Sequence, residues 1–170
     1  MKTVHAFLIA FAVATIGCSR AAVDDGIAAT SGTKSTAAQA TLSKSVPKGW
    51  IEDFAAAKTQ AEKENKKILV AFSGSDWCPW SVKMEKDVYA QPDFIAQASK
   101  NFVLVMIDSP QDSSILSPLA RRQNAPLARQ YGVRGYPTTL VLDAKGTVLS
   151  RFSGYRAGGP AAMLKLLAEK

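Results

Sequence analysis

The sequence predicts an α/β fold in which one central mixed β-sheet carries helices on both faces. Three observations lead there. Lys67–Ser73 (KILVAFS) and Phe102–Asp108 (FVLVMID) contain continuous apolar runs, as strands buried on both faces do. Amphipathic segments lie before, between and after them, so helical crossovers join the strands. Thr138–Asp143 (TTLVLD) and Thr147–Phe152 (TVLSRF) flank Ala144-Lys145-Gly146, a hairpin turn, which makes the sheet mixed.

Taken in order, residues 1–17 read as a secretory signal. Lys2 gives a positive start, and Ala6–Ile16 (AFLIAFAVATI) is an apolar run too short to span a bilayer comfortably. The run ends in Ala14-Thr15-Ile16-Gly17-Cys18, which resembles the bacterial lipobox. That resemblance implies acylation of Cys18 after cleavage. It places the protein outside the cytoplasm, in the periplasm or cell envelope, with a lipid anchor to a membrane. Residues 18–47 are rich in Ala, Ser, Thr, Gly and Lys, too poor in large apolar groups to build a core, and are expected to be a flexible tether.

The folded domain is expected over 48–170. Trp50–Asn65 places Ile51, Phe54, Ala55 and Ala61 among charges, the pattern of an amphipathic helix. No separate first strand stands out; Ser45–Lys48 is the candidate for its remnant. Cys78–Ala90 is expected to be a helix packing through Val82, Met84, Val88 and Tyr89, followed by a short helix at Pro92–Ser99. Ser109–Pro118 reads as a polar loop. Leu119–Tyr131 reads as a helix that Pro126 breaks or restarts. Gly158-Gly159-Pro160 opens a last helix running to Glu169.

Composition removes several chemistries. The chain has 170 residues, two cysteines and a single histidine. That histidine, His5, lies in the signal segment, so the mature domain has none. A Cys-His protease, a Ser-His-Asp hydrolase and an ordinary zinc site are therefore excluded. The net charge is +7 at pH 7, spread without a long basic run. We read it as a solvated surface, with no nucleic acid as partner.

The chemistry centres on Trp77-Cys78-Pro79-Trp80-Ser81. Cys78 follows a strand and begins a helix, where unpaired N–H groups and the helix dipole favour a thiolate. Lys83 and Lys86 would add to this effect and Asp76 would oppose it. An exposed, reactive thiol is the expected reading, against a buried structural cysteine. A second motif, Arg134-Gly135-Tyr136-Pro137-Thr138, precedes the third strand.

Together with Glu64–Val70, Gly74–Cys78, Tyr131–Thr138 and Gly154-Tyr155, these motifs resemble the thioredoxin superfamily. They are most similar to bacterial exported proteins of the thioredoxin_7 type, and the likeness covers Trp50–Lys170. It implies a thioredoxin-like fold, Cys78 as nucleophile and Pro137 as a cis-proline. It also implies Tyr136 and Pro137 as the turn on which a substrate peptide docks. Ser81 stands where the family's resolving cysteine is commoner; one helical turn on, its hydroxyl can donate to the Cys78 thiolate. The strand position corresponding to the family's buried proton-relay carboxylate falls at Ala71.

Trp80 is expected at an exposed docking rim, with Trp77 packed beneath the loop as core. Arg134 reads as a solvated loop charge, with a substrate or glutathione carboxylate as the alternative. Gly158-Gly159 reads as a helix start. No metal or organic cofactor is required. The expected function is monothiol exchange, in which Cys78 forms mixed disulfides with envelope polypeptides. An external thiol donor, glutathione or a dithiol protein, would then release it. The alternative is a redox-inactive peptide-binding module using the same groove.

Overall fold

The uninterrupted apolar runs become two adjacent parallel strands in the computed structural model, which describes residues 42–169. The signal segment, Cys18 and the tether through residue 41 lie outside the described residues. Strands β1 (Lys67–Ser73) and β2 (Phe102–Asp108) pair from Lys67 opposite Phe102 to Ser73 opposite Asp108. Strand β3 (Thr138–Leu142) runs antiparallel to β1, and β4 (Val148–Ser153) antiparallel to β3. The sheet order is β2-β1-β3-β4.

Alternation sends Leu69, Ala71, Leu104, Met106 and Val141 into one core, and Ile68, Val70, Phe72, Val105 and Leu140 into the other. Both faces are covered, so the inner strands need no polar face. Helices α1 (Phe54–Glu64) and α4 (Pro118–Gln130) supply Phe54, Ala57 and Leu127 to the second core, and Tyr131, the C-cap of α4, joins them. Helices α2 (Pro79–Met84), α3 (Pro92–Ala98) and α5 (Gly159–Ala168) cover the first.

Four local expectations change. Helix α1 starts at Phe54 rather than Trp50, with Asp53 as its cap accepting the Ala56 N–H at 2.9 Å. The preceding backbone is occupied by β2: Ile51 donates to the Leu104 carbonyl at 3.0 Å and accepts from the Met106 N–H at 2.9 Å. Ile51, not Ser45–Lys48, is therefore the remnant of a first strand, bridging in parallel to Val105. The expected helix Cys78–Ala90 widens into a π-helical turn at Glu85–Tyr89. Met84, Val88 and Tyr89 are buried as expected, but Val82 is 49% exposed.

The fourth change is at Pro126. Helix α4 passes through it unbroken, because Pro126 and Arg122 both face solvent and the carbonyl without an N–H partner can hydrate. Among the described residues, no helix is long and apolar enough to cross a membrane.

The end of the expected tether packs on the domain. Ser43 is buried; its N–H and hydroxyl both donate to one oxygen of the buried Glu52 carboxylate. The Ser43 hydroxyl also accepts from the Ser117 N–H at 2.9 Å, and the Lys44 N–H donates to the Ile115 carbonyl at 3.0 Å. Glu52 Oε1 has no hydrogen-bond partner, so the carboxylate relies on Ser43. Ser43→Ala is expected to destabilise the domain by about 1–3 kcal/mol. Urea unfolding checks this; an unchanged midpoint would show that the segment contributes nothing.

A titrating group lies in the π-helical turn. Burial pushes the half-buried Glu85 carboxyl above its ordinary value of 4.5, and the charge of Asp108 adds to the rise. The folded state therefore holds this proton more tightly than the unfolded chain. The resulting stability is present below 4.5 and is lost as pH rises through the folded value. Glu85→Gln should be more stable than the parent near neutral pH, with the difference disappearing in acid. Thermal midpoints across that range test it, and a gain that does not vary with pH would contradict it.

Candidate functional site

The C-terminal ends of β1 and β2 lie side by side and carry two loops, 74–78 and 109–112. The first delivers Cys78 to the start of α2. Cys78 has extended backbone angles (φ −97°, ψ 106°), and Pro79 takes the first helical position, where a missing N–H costs nothing. The Cys78 N–H donates back to the Gly74 carbonyl at 2.9 Å, closing the loop. The peptide bond between Tyr136 and Pro137 is cis, and the Cys78 thiol donates to the Tyr136 carbonyl at 3.4 Å.

This contact corrects the expectation of an exposed thiol. Cys78 is 7% exposed, with the Tyr136 carbonyl standing against the sulfur. Ser81 also behaves differently from the expectation. It is 1% exposed, and its Oγ accepts the Gly74 N–H at 3.2 Å. Its visible role is to hold the loop that positions the sulfur, while the thiol's partner is a backbone carbonyl across the groove.

Two carboxylates tie the sulfur's loop to its neighbour. Asp108, buried at the end of β2, accepts the Ser75 N–H at 3.0 Å on one oxygen and the Ser75 hydroxyl on the other. The Asp108 carbonyl accepts from the Asn124 side chain at 2.8 Å, which anchors this end of β2 to α4. Asp76 accepts the N–H groups of Gln111 and Asp112 at 2.9 and 2.8 Å. The backbone donor of Asp112, then that of Gln111, holds the Asp76 carboxyl below the usual range. Asp76 thus clamps loop 109–112. The sequence reading missed Asp108 and Ser109. An acid ending an apolar strand was the only available signal for the first.

Trp77 is not core. It is 42% exposed, its indole N–H donates to the Ser109 carbonyl at 2.8 Å, and its ring meets Tyr136 edge-on at 5.6 Å. The Tyr136 hydroxyl donates to Ser109 Oγ at 3.0 Å. The Trp77 ring also lies over Gly74, where a Cβ would come within 2.6 Å of it, so glycine is required beneath it.

Trp80 is 57% exposed and faces Tyr155 at 5.7 Å. Lys83, expected to assist the thiolate, instead pairs with Asp87 at 2.7 Å and sits over the Tyr155 ring. Tyr155 donates to the same carboxylate at 2.7 Å. Ala71 is fully buried in the first core, so no carboxylate occupies that strand position. Gly158 and Gly159 have left-handed backbone (φ 102° and 65°) at the start of α5, which accounts for the pair.

Comparison with known proteins agrees with this architecture. The profile of the family described as "Thioredoxin-like domain" matches residues 54–169. The chain is 36% identical over 112 residues to a Chlamydia pneumoniae protein named "Disulfide bond reductase DsbH", covering 65% of this chain and 66% of that one. It is 27% identical over 110 residues to "Thioredoxin-related protein DsbJ" of the same organism, covering 62% of this chain and 30% of that one. The chain thus spans just under two thirds of the first relative and under a third of the second. A solved structure described as "DsbH Oxidoreductase" superposes with a TM-score of 0.65 at 32% identity, covering 71% of this chain and 81% of that chain. With more than half of its length matched by the family profile and its strands and helices in the corresponding order, the chain belongs to the thioredoxin-like domain family.

Proposed function

We propose that this protein is an exported, envelope-localised monothiol member of its family that exchanges thiols and disulfides with other polypeptides. Acylated Cys18 would tether it to a membrane, and the finer placement among exported thioredoxin_7-type proteins is part of the same proposal. The observation that carries the chemistry is the site's thiol inventory. Cys78 lies at a helix start against the Tyr136 carbonyl, and a buried serine occupies the position one turn further on. The relative named as a disulfide bond reductase supports a redox reading.

In the forward step, the Cys78 thiolate attacks one sulfur of a substrate disulfide. A new S–S bond forms to Cys78, the substrate S–S bond breaks, and the departing sulfur leaves as a thiolate. Cys78 no longer carries the hydrogen that Tyr136 accepts, so this carbonyl becomes free for a backbone N–H of the bound chain. Tyr136, Pro137 and Trp80 form the docking surface in this reading. Release then requires attack on the mixed disulfide by an outside thiol, from glutathione or a dithiol protein. Ser81 has no sulfur to supply it.

A second reading draws on the 7% exposure of Cys78 beside the exposed Trp77, Trp80 and Val82. It is a redox-inactive module that holds peptides without covalent chemistry. Cys78→Ser separates the two, since a binding module would retain peptides unchanged.

The wild-type protein is expected to accumulate as a mixed disulfide with disulfide-containing polypeptides and to turn over only when glutathione or a dithiol is added. Cys78→Ser should abolish every adduct. Non-reducing gels with mass mapping check both, and sustained unaided turnover would contradict the monothiol mechanism. Ser81→Cys places a second thiol one helical turn from the first and should form a disulfide with Cys78 under mild oxidation. Reductase turnover should rise about tenfold or more, stopping short of a complete relay because Ala71 offers no carboxylate. An S81C protein that stays reduced would rule out the proposed relation between the two positions.

A further inference from the structure

Beside the Tyr136–Pro137 turn, on the side of Arg134, lies a second surface. A cleft of about 380 Å³ opens there, lined by Arg134, Tyr136, Thr138, Arg151 and the glycines at 132, 135 and 154. Its lining includes two arginines and no carboxylate. Arg134 is exposed and makes no ion pair among the described residues. Arg151, on β4, donates one guanidinium N–H to the Tyr131 carbonyl, which fixes the side chain while the other donors of its fork remain to be used. A Cβ added at Gly132, Gly135 or Gly154 would meet nothing within 4 Å, so the backbone between the arginines is open. The Thr138 hydroxyl braces this wall by donating to the Gly135 carbonyl at 2.7 Å.

We infer that this cleft is a specificity subsite for an acidic side chain of the substrate polypeptide. The inference rests on the docking reading above and extends it. Guanidinium groups recognise carboxylates through paired, planar hydrogen bonds, and a fixed guanidinium loses less freedom in doing so. Tyr136 belongs both to the cleft and to the sulfur's surroundings. An extended chain advances about 3.3 Å per residue, so a peptide whose cysteine meets Cys78 and whose backbone runs along Tyr136 carries a nearby side chain toward the cleft. The groove is then two-sided. Trp80 offers an apolar contact on one flank, and the arginine pair selects a carboxylate on the other.

The test uses the full chain and three cysteine peptides of equal length, carrying Glu, Gln or Lys at about two positions from the cysteine. Each is presented as its mixed disulfide with 5-thio-2-nitrobenzoate. Cys78 attacks the peptide sulfur, the bond to the nitrothiobenzoate sulfur breaks, and the released coloured thiolate reports the rate. The Glu peptide should react about three- to fivefold faster than the Gln peptide, and the Lys peptide slowest. Arg134→Gln and Arg151→Gln should each reduce the ratio of the Glu-peptide rate to the Gln-peptide rate. Lys63→Gln, which removes an equal charge from distant α1, should leave the preference intact.

Equal rates for the three peptides, or a preference that survives both arginine variants, would overturn the inference while leaving thiol exchange standing. A preference lost equally in Lys63→Gln would assign it to net charge and overturn the subsite. The mixed disulfide of glutathione with 5-thio-2-nitrobenzoate reacting faster than the Glu peptide, with that advantage lost in Arg134→Gln, would assign the cleft to glutathione and overturn the polypeptide assignment. No adduct with any probe would overturn the docking reading and this inference with it.

Discussion

The parallel register that sets Ser73 opposite Asp108 brings two loop origins together at one end of the sheet, and the site is assembled from that adjacency. Asp108 turns it into a fixed geometry. A charged acceptor held by a backbone N–H and a hydroxyl makes stronger hydrogen bonds than neutral pairs do, and the Asn124 side chain holds the same residue from behind. Asp76 repeats the device one residue beyond Ser75, catching two N–H groups of the neighbouring loop. With both loops held, Trp77 reaches Ser109, Tyr136 reaches Ser109, and the Tyr136 carbonyl comes to the sulfur. The contacts that reach Cys78 from outside its own loop therefore depend on the strand pairing at this end of the sheet.

The sheet was legible because its signal is strong and local. Apolar runs of strand length, bounded by polar residues, have few other uses in a chain of this size, and β1, β2 and β3 lie where such runs are, while the Ala144-Lys145-Gly146 turn marked β4. The helices were legible in kind but less so in their ends. The start of α1 is decided by the bond between Ile51 and β2, a long-range contact that no helix periodicity contains. The π-helical turn at Glu85–Tyr89 depends on where Tyr89 must go, between Trp50 and Thr139, and periodicity cannot express that. Pro126 would break a helix in a buried setting; here the affected turn faces solvent.

For the site, residue identity was easier to read than residue environment. Cys78 meets the Tyr136 carbonyl, with Ser81 and Pro137 close to them along the chain. Their exposure was another matter. The sulfur's cover comes from a turn distant in sequence, and Ser81 is directed to Gly74 by the closure of a loop, so spacing along the helix could not reveal either partner. Trp77 was misplaced for a related reason. An aromatic residue beside a cysteine can be core or rim, and the choice depends on Gly74 offering a flat surface and Ser109 an acceptor for the indole.

The two changes that set this site apart from a dithiol relay are structurally cheap. At Ala71 an alanine completes a fully buried core face, so the absent carboxylate leaves no polar group to satisfy and no charge to desolvate. At Ser81 the hydroxyl accepts the Gly74 N–H, a bond for which a thiol is a poorer acceptor. Each position is thus coherent with its surroundings. The frame that orients Cys78 is meanwhile built, with Asp108 and Asp76 holding its loops, Trp77 and Tyr136 bonded to Ser109, and the Tyr136 carbonyl against the sulfur. The orienting contacts are thus kept while Ala71 and Ser81 are each accommodated by their own surroundings.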